Sequence, residues 1–184
     1  MRPNWFLALR VPAAGWFEQR VGAPPEGFRL FRGADLHITL AFLGGCSEEQ
    51  ALRAWRLNGC CALGPVPVTL GEVVPMGNPR RYSALSVLLR RGRNPVEKAI
   101  GLCRDRWLEA AEARPDKRPP KAHTTIARPQ RRATPEVRQR GLEWAAGLEL
   151  GGVDLVLDEL VLYTWADDRA ERLFKRVEGR KLES

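Results

Sequence analysis

The chain has 184 residues, of which 44% are hydrophobic and 28% are charged, and its formal net charge is +8. These values are typical of one soluble globular domain spanning residues 1–184, and the lack of any long apolar run excludes a membrane-spanning protein. Four cysteines without a CxxC pair argue against a secreted disulfide scaffold and against a zinc site. With no signal-peptide pattern at the N-terminus, we expect a cytoplasmic protein whose positive field favours anionic partners such as nucleic acid.

Hydrophobic periodicity and the positions of glycine, proline and capping residues predict an alternation of strands and helices along the chain. Ser47 with Gln50 three residues later is typical of a helix N-terminus. The dipeptides Asn94-Pro95 and Thr134-Pro135 are typical of a capping residue followed by the first helical position. The predicted strands are 5–11, 28–32, 36–40, 66–74, 82–89, 122–126, 153–157, 159–165 and 172–177, and the predicted helices are 13–21, 47–57, 94–112 and 134–147.

The two halves of the chain have the same order of elements, namely strand, helix, histidine strand, helix and strand. Val68 follows His37 by 31 residues, and Val153 follows His123 by 30 residues, so the spacing is also similar. Strands outnumber helices, which favours an α+β fold over a doubly wound parallel one. We therefore expect a bilobal α+β domain, with two antiparallel sheets and flanking helices related by a pseudo-twofold around a central cleft.

A repeated pair of polar residues marks the candidate functional site. In the strand 36–40, His37 and Thr39 lie on one face because successive side chains of a strand point to opposite sides. The same pattern returns 86 residues later, where His123 and Thr125 share a strand face. The chain contains two histidines in total, and both lie in this pattern. Coincidence in a histidine-poor chain is improbable, which indicates a paired function.

Two imidazoles on facing strands suit displacement at phosphorus. A neutral ring removes a proton from water while a charged ring donates one to the departing oxygen, and both states are accessible near neutral pH. Thr39 and Thr125 are placed to hydrogen-bond the non-bridging phosphate oxygens. Arg128, five residues after His123, offers a guanidinium that matches phosphate bidentately. Because the acid protonates the leaving group directly, the reaction requires no metal and no cofactor.

The segments LHITLAFLGG (36–45) and KAHTTIAR (121–128) resemble the two signatures of the 2H phosphoesterases. They are most similar to those of the bacterial RNA 2′,3′-cyclic phosphodiesterases, also called 2′-5′ RNA ligases. The resemblance implies a bilobal α+β fold and hydrolysis of RNA 2′,3′-cyclic phosphate ends to 2′-phosphomonoesters, with 2′-5′ ligation as the reverse reaction. It also implies RNA ends, tRNA fragments among them, as partners of a monomeric enzyme.

Carried over residue by residue, the resemblance implies that His37 is the proton donor and His123 the proton acceptor. Thr39, Thr125 and Arg128 would hold the phosphate. Two positions depart from the family pattern: residue 41, often basic in relatives, is Ala, and residue 124, often aliphatic, is Thr.

The sequence alone leaves the roles of several residues undecided. Phe42 is expected on the strand face opposite His37, where packing is its predicted role. Asp35 is a candidate to orient a histidine. The basic runs 90–93 and 114–121 are either solvated loops or contacts to RNA beyond the cleavage site.

Two other functions are compatible with the same residues. A non-catalytic RNA-binding module would bind cyclic-phosphate ends with salt-dependent affinity but would not turn them over. An enzyme for a small cyclic ester, such as ADP-ribose 1″,2″-cyclic phosphate, would use the same acid and base. Incubation with a 2′,3′-cyclic nucleotide separates the binding module from the enzymes.

Overall fold

The structure is a computed structural model that describes residues 2–183. Within these residues the chain forms nine strands and four α-helices. In chain order they are β1 (Trp5–Arg10), α1 (Phe17–Arg20), β2 (Phe28–Leu30), β3 (His37–Gly44), α2 (Glu48–Arg56), β4 (Val66–Met76), β5 (Ala84–Arg91), α3 (Arg93–Ala110), β6 (His123–Pro129), α4 (Pro135–Ala146), β7 (Asp154–Leu157), β8 (Glu159–Trp165) and β9 (Phe174–Lys181).

The strands form one curled antiparallel sheet, which confirms the predicted α+β class. Its order is β7-β4-β5-β6-β3-β1-β8-β9, and the short β2 pairs with β6. The predicted division into two sheets related by a pseudo-twofold is not confirmed, because β3 and β6 join both parts of the sheet through the pair Ile38–Thr124. Strands from the two halves of the chain also pair with each other. Strand β4 of the first half lies beside β5 of the second, and β8 of the second half lies beside β1 of the first.

The helices cover the apolar face of the central strands. Ile38 and Leu40 of β3 are buried in the main core together with Ile100 and Trp107 of α3. Trp107 is among the largest fully buried side chains in the protein. Burial of such aromatic and aliphatic groups is the dominant favourable contribution to folding. This packing fixes β3 with its histidine-bearing face turned away from the helices.

Helix boundaries follow the predicted caps in two cases and differ in a third. Ser47 and Gln50 form the expected reciprocal capping box, and Thr134 caps α4 through the amide of Val137. Helix α3 begins at Arg93 instead of after an Asn94 cap. The capping position is Gly92, whose left-handed φ of 78° is one that glycine tolerates.

Other predicted elements are present with shifted ends, and β5 begins and ends two residues later than predicted. Helix α1 is a single turn, whereas β3, β4 and β9 extend further along the chain than predicted. All four cysteines are free thiols. None of the described helices combines the length and the hydropathy needed to cross a membrane.

Candidate active site

The fold brings the two histidine motifs side by side. Because β3 and β6 are antiparallel neighbours in the register given above, His37 lies opposite Thr125 and Thr39 lies opposite His123. Residues that face each other across antiparallel strands project to the same side of the sheet. The two histidines are diagonal neighbours in this arrangement, a relation that places backbones roughly 7–8 Å apart. Both imidazole rings therefore project from neighbouring strands to the same side of the sheet.

Both imidazole rings are oriented by the same kind of hydrogen bond. The Nδ1 of His37 donates to the carbonyl oxygen of Asp35 at 2.7 Å, and the Nδ1 of His123 donates to that of Lys121 at 2.8 Å. A carbonyl oxygen can only accept, so each neutral ring carries its proton on Nδ1. The Nε2 of each ring is therefore available as a proton acceptor or, when charged, as a donor. Asp35 thus orients a histidine through its main chain.

His37 lies among aromatic rings. The ring of Phe6 is 4.7 Å away between centroids, and the ring of Phe174 meets it edge-on at 5.2 Å. The pKa of His37 is lowered from 6.5 to about 4, chiefly by burial, with a smaller contribution from the positive charge of Arg128. The hydrogen bond to the main chain opposes this shift only in part. His37 is consequently neutral in the free protein near neutral pH.

The surroundings of His123 also lower its pKa, but they contain different groups. Burial is the largest cause that lowers the pKa of His123, and the positive charges of Lys121, Arg118 and Arg128 contribute. A ring that is neutral at physiological pH is suited to accept a proton. Burial is thus the main cause for both histidines, while aromatic rings lie beside His37 and the cations Lys121 and Arg118 act on His123.

The predicted central cleft consists of two joined recesses. The His37 recess has a volume of about 320 Å³, and the His123 recess has a volume of about 410 Å³. Thr39 and Phe42 line both, so the recesses meet at these two side chains. The His37 recess is further lined by Arg29, Phe31, Arg128, Trp165 and Arg169, and the His123 recess by Met76, Ile100, Arg104, Arg118 and Lys121.

Phe42 lies on the histidine face, so the predicted placement on the opposite face is wrong. From Thr39 to Ala41 the β3 strand advances two residues while its partner β1 advances one, which is a β-bulge. The extra residue reverses the alternation, and Phe42 returns to the side of His37 with 48% of its surface exposed. Alternation of residue types alone carries no signal for a bulge of this kind.

The other predicted site residues occupy different places. Thr39 and Arg128 line the His37 recess, and Arg128 lies over the Phe31 ring at 5.5 Å. Thr125 lines neither recess, and its hydroxyl lies 3.0 Å from that of Ser86. Ser86 is fully buried on β5, so this contact restricts the Thr125 rotamer. No signal in the sequence pointed to Ser86.

Two further expectations concern basic segments and metals. In the segment 114–121, Arg118 and Lys121 line the His123 recess, and Arg118 also binds Asp116 at 2.7 Å. The run 90–93 lines neither recess. Among residues 2–183, no three His, Cys, Asp or Glu side chains come together in a way that could hold a metal ion.

Comparison with known proteins identifies the fold. No protein-family model matches the chain, and no similar sequence is found among curated proteins. Solved structures are similar over the whole chain. E. coli LigT complexed with 3′-AMP superposes with a TM-score of 0.72 at 20% identity, covering 100% of both chains. A protein described as a phosphoesterase gives 0.70 at 19% identity, covering 99% of both chains, and Usb1 of Kluyveromyces marxianus gives 0.54 at 18%, covering 86% of this chain and 92% of that one.

At these identities the similarity establishes the fold. The chain has the LigT-like fold, an α+β arrangement with a curled antiparallel sheet and flanking helices. The resemblance that the two histidine motifs indicated is therefore confirmed at the level of the fold.

Proposed function

We propose that this protein is a 2H phosphoesterase that hydrolyses RNA 2′,3′-cyclic phosphate ends to 2′-phosphomonoesters. The observation that carries the proposal is the pairing of two His-x-Thr units on adjacent strands, with both rings held by Nδ1 and both Nε2 atoms available. The fold similarity supports it, because one solved structure of this fold is described as a phosphoesterase and another, LigT, holds 3′-AMP.

The proposed reaction is an in-line displacement at phosphorus. The Nε2 of His123 accepts a proton from a water molecule as the water oxygen bonds to phosphorus. The bond from phosphorus to O3′ breaks on the opposite side, and the Nε2 of His37 gives its proton to O3′. The products are a 2′-phosphomonoester and a 3′-hydroxyl. The hydroxyl of Thr39 and the guanidinium of Arg128, which line the His37 recess, hold the non-bridging oxygens. Thr125, which lines neither recess, is assigned to the same phosphate only because it shares a strand face with His123.

The low pKa of His37 determines the stage of the reaction at which the ring acquires this proton. With a pKa of about 4, the ring is neutral in the free protein at pH 7. A phosphate anion beside the ring stabilises its charged form and raises the pKa. The role of His37 as proton donor therefore requires that bound substrate raise its pKa toward neutrality, so that the donor forms only in the complex. Because acid and base are both imidazoles, the chemistry requires no metal.

The side of the cleft that holds the ribose follows from these roles. His37 protonates O3′, so the ribose of the terminal nucleotide lies toward the His37 recess and the attacking water lies toward His123. Phe42 stands at the junction of the two recesses and is half exposed. An exposed aromatic ring offers a stacking surface to any base. We assign it the role of supporting the terminal base.

The test is incubation of the purified protein with adenosine 2′,3′-cyclic phosphate, with and without EDTA, followed by phosphorus NMR of the products. We expect complete conversion to the 2′-phosphate at a rate that EDTA does not change. A 3′-phosphate product would contradict the assigned roles, and loss of activity in EDTA would contradict the metal-free mechanism. Binding without turnover would instead identify an RNA-end-binding module.

The same assay identifies the substrate class. A tRNA half ending in a 2′,3′-cyclic phosphate and ADP-ribose 1″,2″-cyclic phosphate are compared at equal concentrations. We expect the RNA end to have the higher kcat/KM. A clear preference for the ADP-ribose compound would assign the enzyme to small cyclic esters.

A further inference from the structure

Three arginines converge on the His37 recess. Arg29, Arg128 and Arg169 all line it, and they come from β2, from β6 and from the turn between β8 and β9. Among residues 2–183, none of the three forms an ion pair with a carboxylate. In the same turn the carboxylate of Asp167 is bound by Lys175. The recess therefore holds three positive charges that the protein does not neutralise.

The guanidinium groups are held in place by neighbours that leave most of their donors unused. Arg29 lies opposite Arg128 in the β2–β6 pair and donates a hydrogen bond to the carbonyl oxygen of Arg169. Arg169 lies over the Trp165 ring at 4.7 Å, and Arg128 lies over the Phe31 ring at 5.5 Å. Stacking on a ring orients a guanidinium without occupying its N–H groups.

This arrangement favours the binding of an anion, although all three residues are exposed to solvent. Like charges in a partly desolvated recess repel one another, and partial burial together with the charge of Arg169 lowers the pKa of Arg128. Guanidinium groups presented with free donors match the oxygens of phosphate bidentately. The proposed reaction uses one phosphate, which Arg128 helps to hold. Arg29 and Arg169 are left without an assigned ligand.

The position of the recess indicates which anion they bind. In the proposed reaction the ribose lies on the His37 side, so its 5′ carbon extends into the His37 recess. We infer that Arg29 and Arg169 form a second phosphate subsite, which binds the phosphate on the 5′ carbon of the nucleotide that carries the cyclic phosphate. The inference rests on the proposed function for the orientation of the ribose. The recess volume of about 320 Å³ lies at the low end for small-ligand sites, which suits a ribose with its 5′-phosphate.

The subsite selects substrates that are phosphorylated at the 5′ carbon. Such a phosphate is either the diester that joins the terminal nucleotide to the rest of an RNA or the monoester of a free nucleotide. Both present the same oxygens to Arg29 and Arg169. A cyclic phosphate of a bare nucleoside lacks this anion and leaves the two guanidiniums unpaired.

The test compares three substrates with the same cyclic end. They are adenosine 2′,3′-cyclic phosphate, its 5′-phosphorylated form and the dinucleotide ApA ending in a 2′,3′-cyclic phosphate. We expect kcat/KM to be about 10- to 100-fold higher for a 5′-phosphorylated substrate, the range for charge-assisted hydrogen bonds. In Arg169→Gln this ratio falls toward one, and Arg169→Lys restores it in part because the charge returns without the planar fork.

The matched control is Arg172→Gln, a change of the same kind in the same turn at an exposed position that lines neither recess. It leaves the substrate ratio as in the wild type. A gain with both phosphorylated substrates supports the subsite and shows that it accepts the phosphate as a diester or as a monoester. A gain with only one supports it and identifies the source of the phosphate. Equal kcat/KM for all three substrates, or an equal loss for all three in Arg169→Gln, overturns it.

A binding measurement separates this inference from the proposed function. Calorimetry compares adenosine 2′,5′-bisphosphate with adenosine 2′-phosphate on the wild type and on Arg169→Gln. Tighter binding of the bisphosphate that depends on Arg169 supports the subsite even in a protein that turns nothing over. If the protein turns over cyclic phosphates but binds the bisphosphate no more tightly than the 2′-phosphate, the subsite is overturned. The proposed hydrolase activity is not affected by that result.

Discussion

Replacing either His37 or His123 with alanine is expected to lower kcat for a 2′,3′-cyclic nucleotide by about 10²- to 10⁴-fold, the range for loss of a general acid or base. His37→Ala removes the proton that O3′ needs, and His123→Ala removes the acceptor for the proton of the attacking water. Because the two groups act in one step, the double variant should be far less impaired than the product of the two single effects. Steady-state kinetics measures kcat for the two single variants and the double variant. Circular dichroism checks that each variant is folded.

The control for these variants is Thr124→Val. Thr124 lies between the two site residues of β6 but faces the other side of the strand, and its buried hydroxyl has no hydrogen-bond partner within residues 2–183. An isosteric methyl group there removes an unsatisfied polar atom, so the variant should be at least as stable and as active as the wild type. Near wild-type turnover by either histidine variant would contradict the acid and base roles.

Stability is expected to fall steeply as the pH is lowered from about 6.5 to about 4, because of His37. The pKa of this ring is about 4 in the folded protein and near 6.5 when unfolded. Between these values the unfolded chain binds a proton that the folded chain does not, so the free energy of unfolding rises with pH. The stability due to neutral His37 is fully present above pH 6.5 and lost by pH 4, and it amounts to about 3 kcal/mol at most.

Urea unfolding of the wild type and of His37→Asn at about pH 7 and about pH 4.5 isolates this contribution. Asparagine retains a donor for the Asp35 carbonyl and does not titrate. The wild type should lose more of its free energy of unfolding over this range than the variant does. Carboxylates change protonation in both proteins, so their effect cancels in the comparison. Equal losses would show that His37 is not held neutral by its surroundings.

The sequence predicted the parts of the site that depend on local periodicity. His37 and Thr39 share a strand face because alternation is a property of any regular strand, and the same holds for His123 and Thr125. The Ser47 capping box is equally local and appears as predicted. Neither feature requires knowledge of distant contacts. The pairing of the two motif strands within one sheet is different, because the predicted arrangement placed the histidines on facing strands across a cleft between two sheets.

The remaining parts of the site depend on tertiary packing and could not be predicted from local patterns. Phe42 reaches the histidine face through a bulge set by pairing with β1. Phe6 and Phe174 lie against His37, whose burial lowers its pKa. Arg29 and Arg169 are 140 residues apart and meet only because β2 pairs with β6 beside the β8–β9 turn. Such convergence has no signature in sequence spacing.

Proton titration of the two imidazoles by NMR tests the central claim most directly. The chain has two histidines, so an untagged sample shows one set of ring signals for each. Titrations are recorded with and without a saturating nucleoside 2′-phosphate. If both rings flank one phosphorus, the anion raises the pKa of His37 and of His123 together, His37 starting from about 4. A phosphate that shifts only one of the two histidines, or neither, would contradict the account.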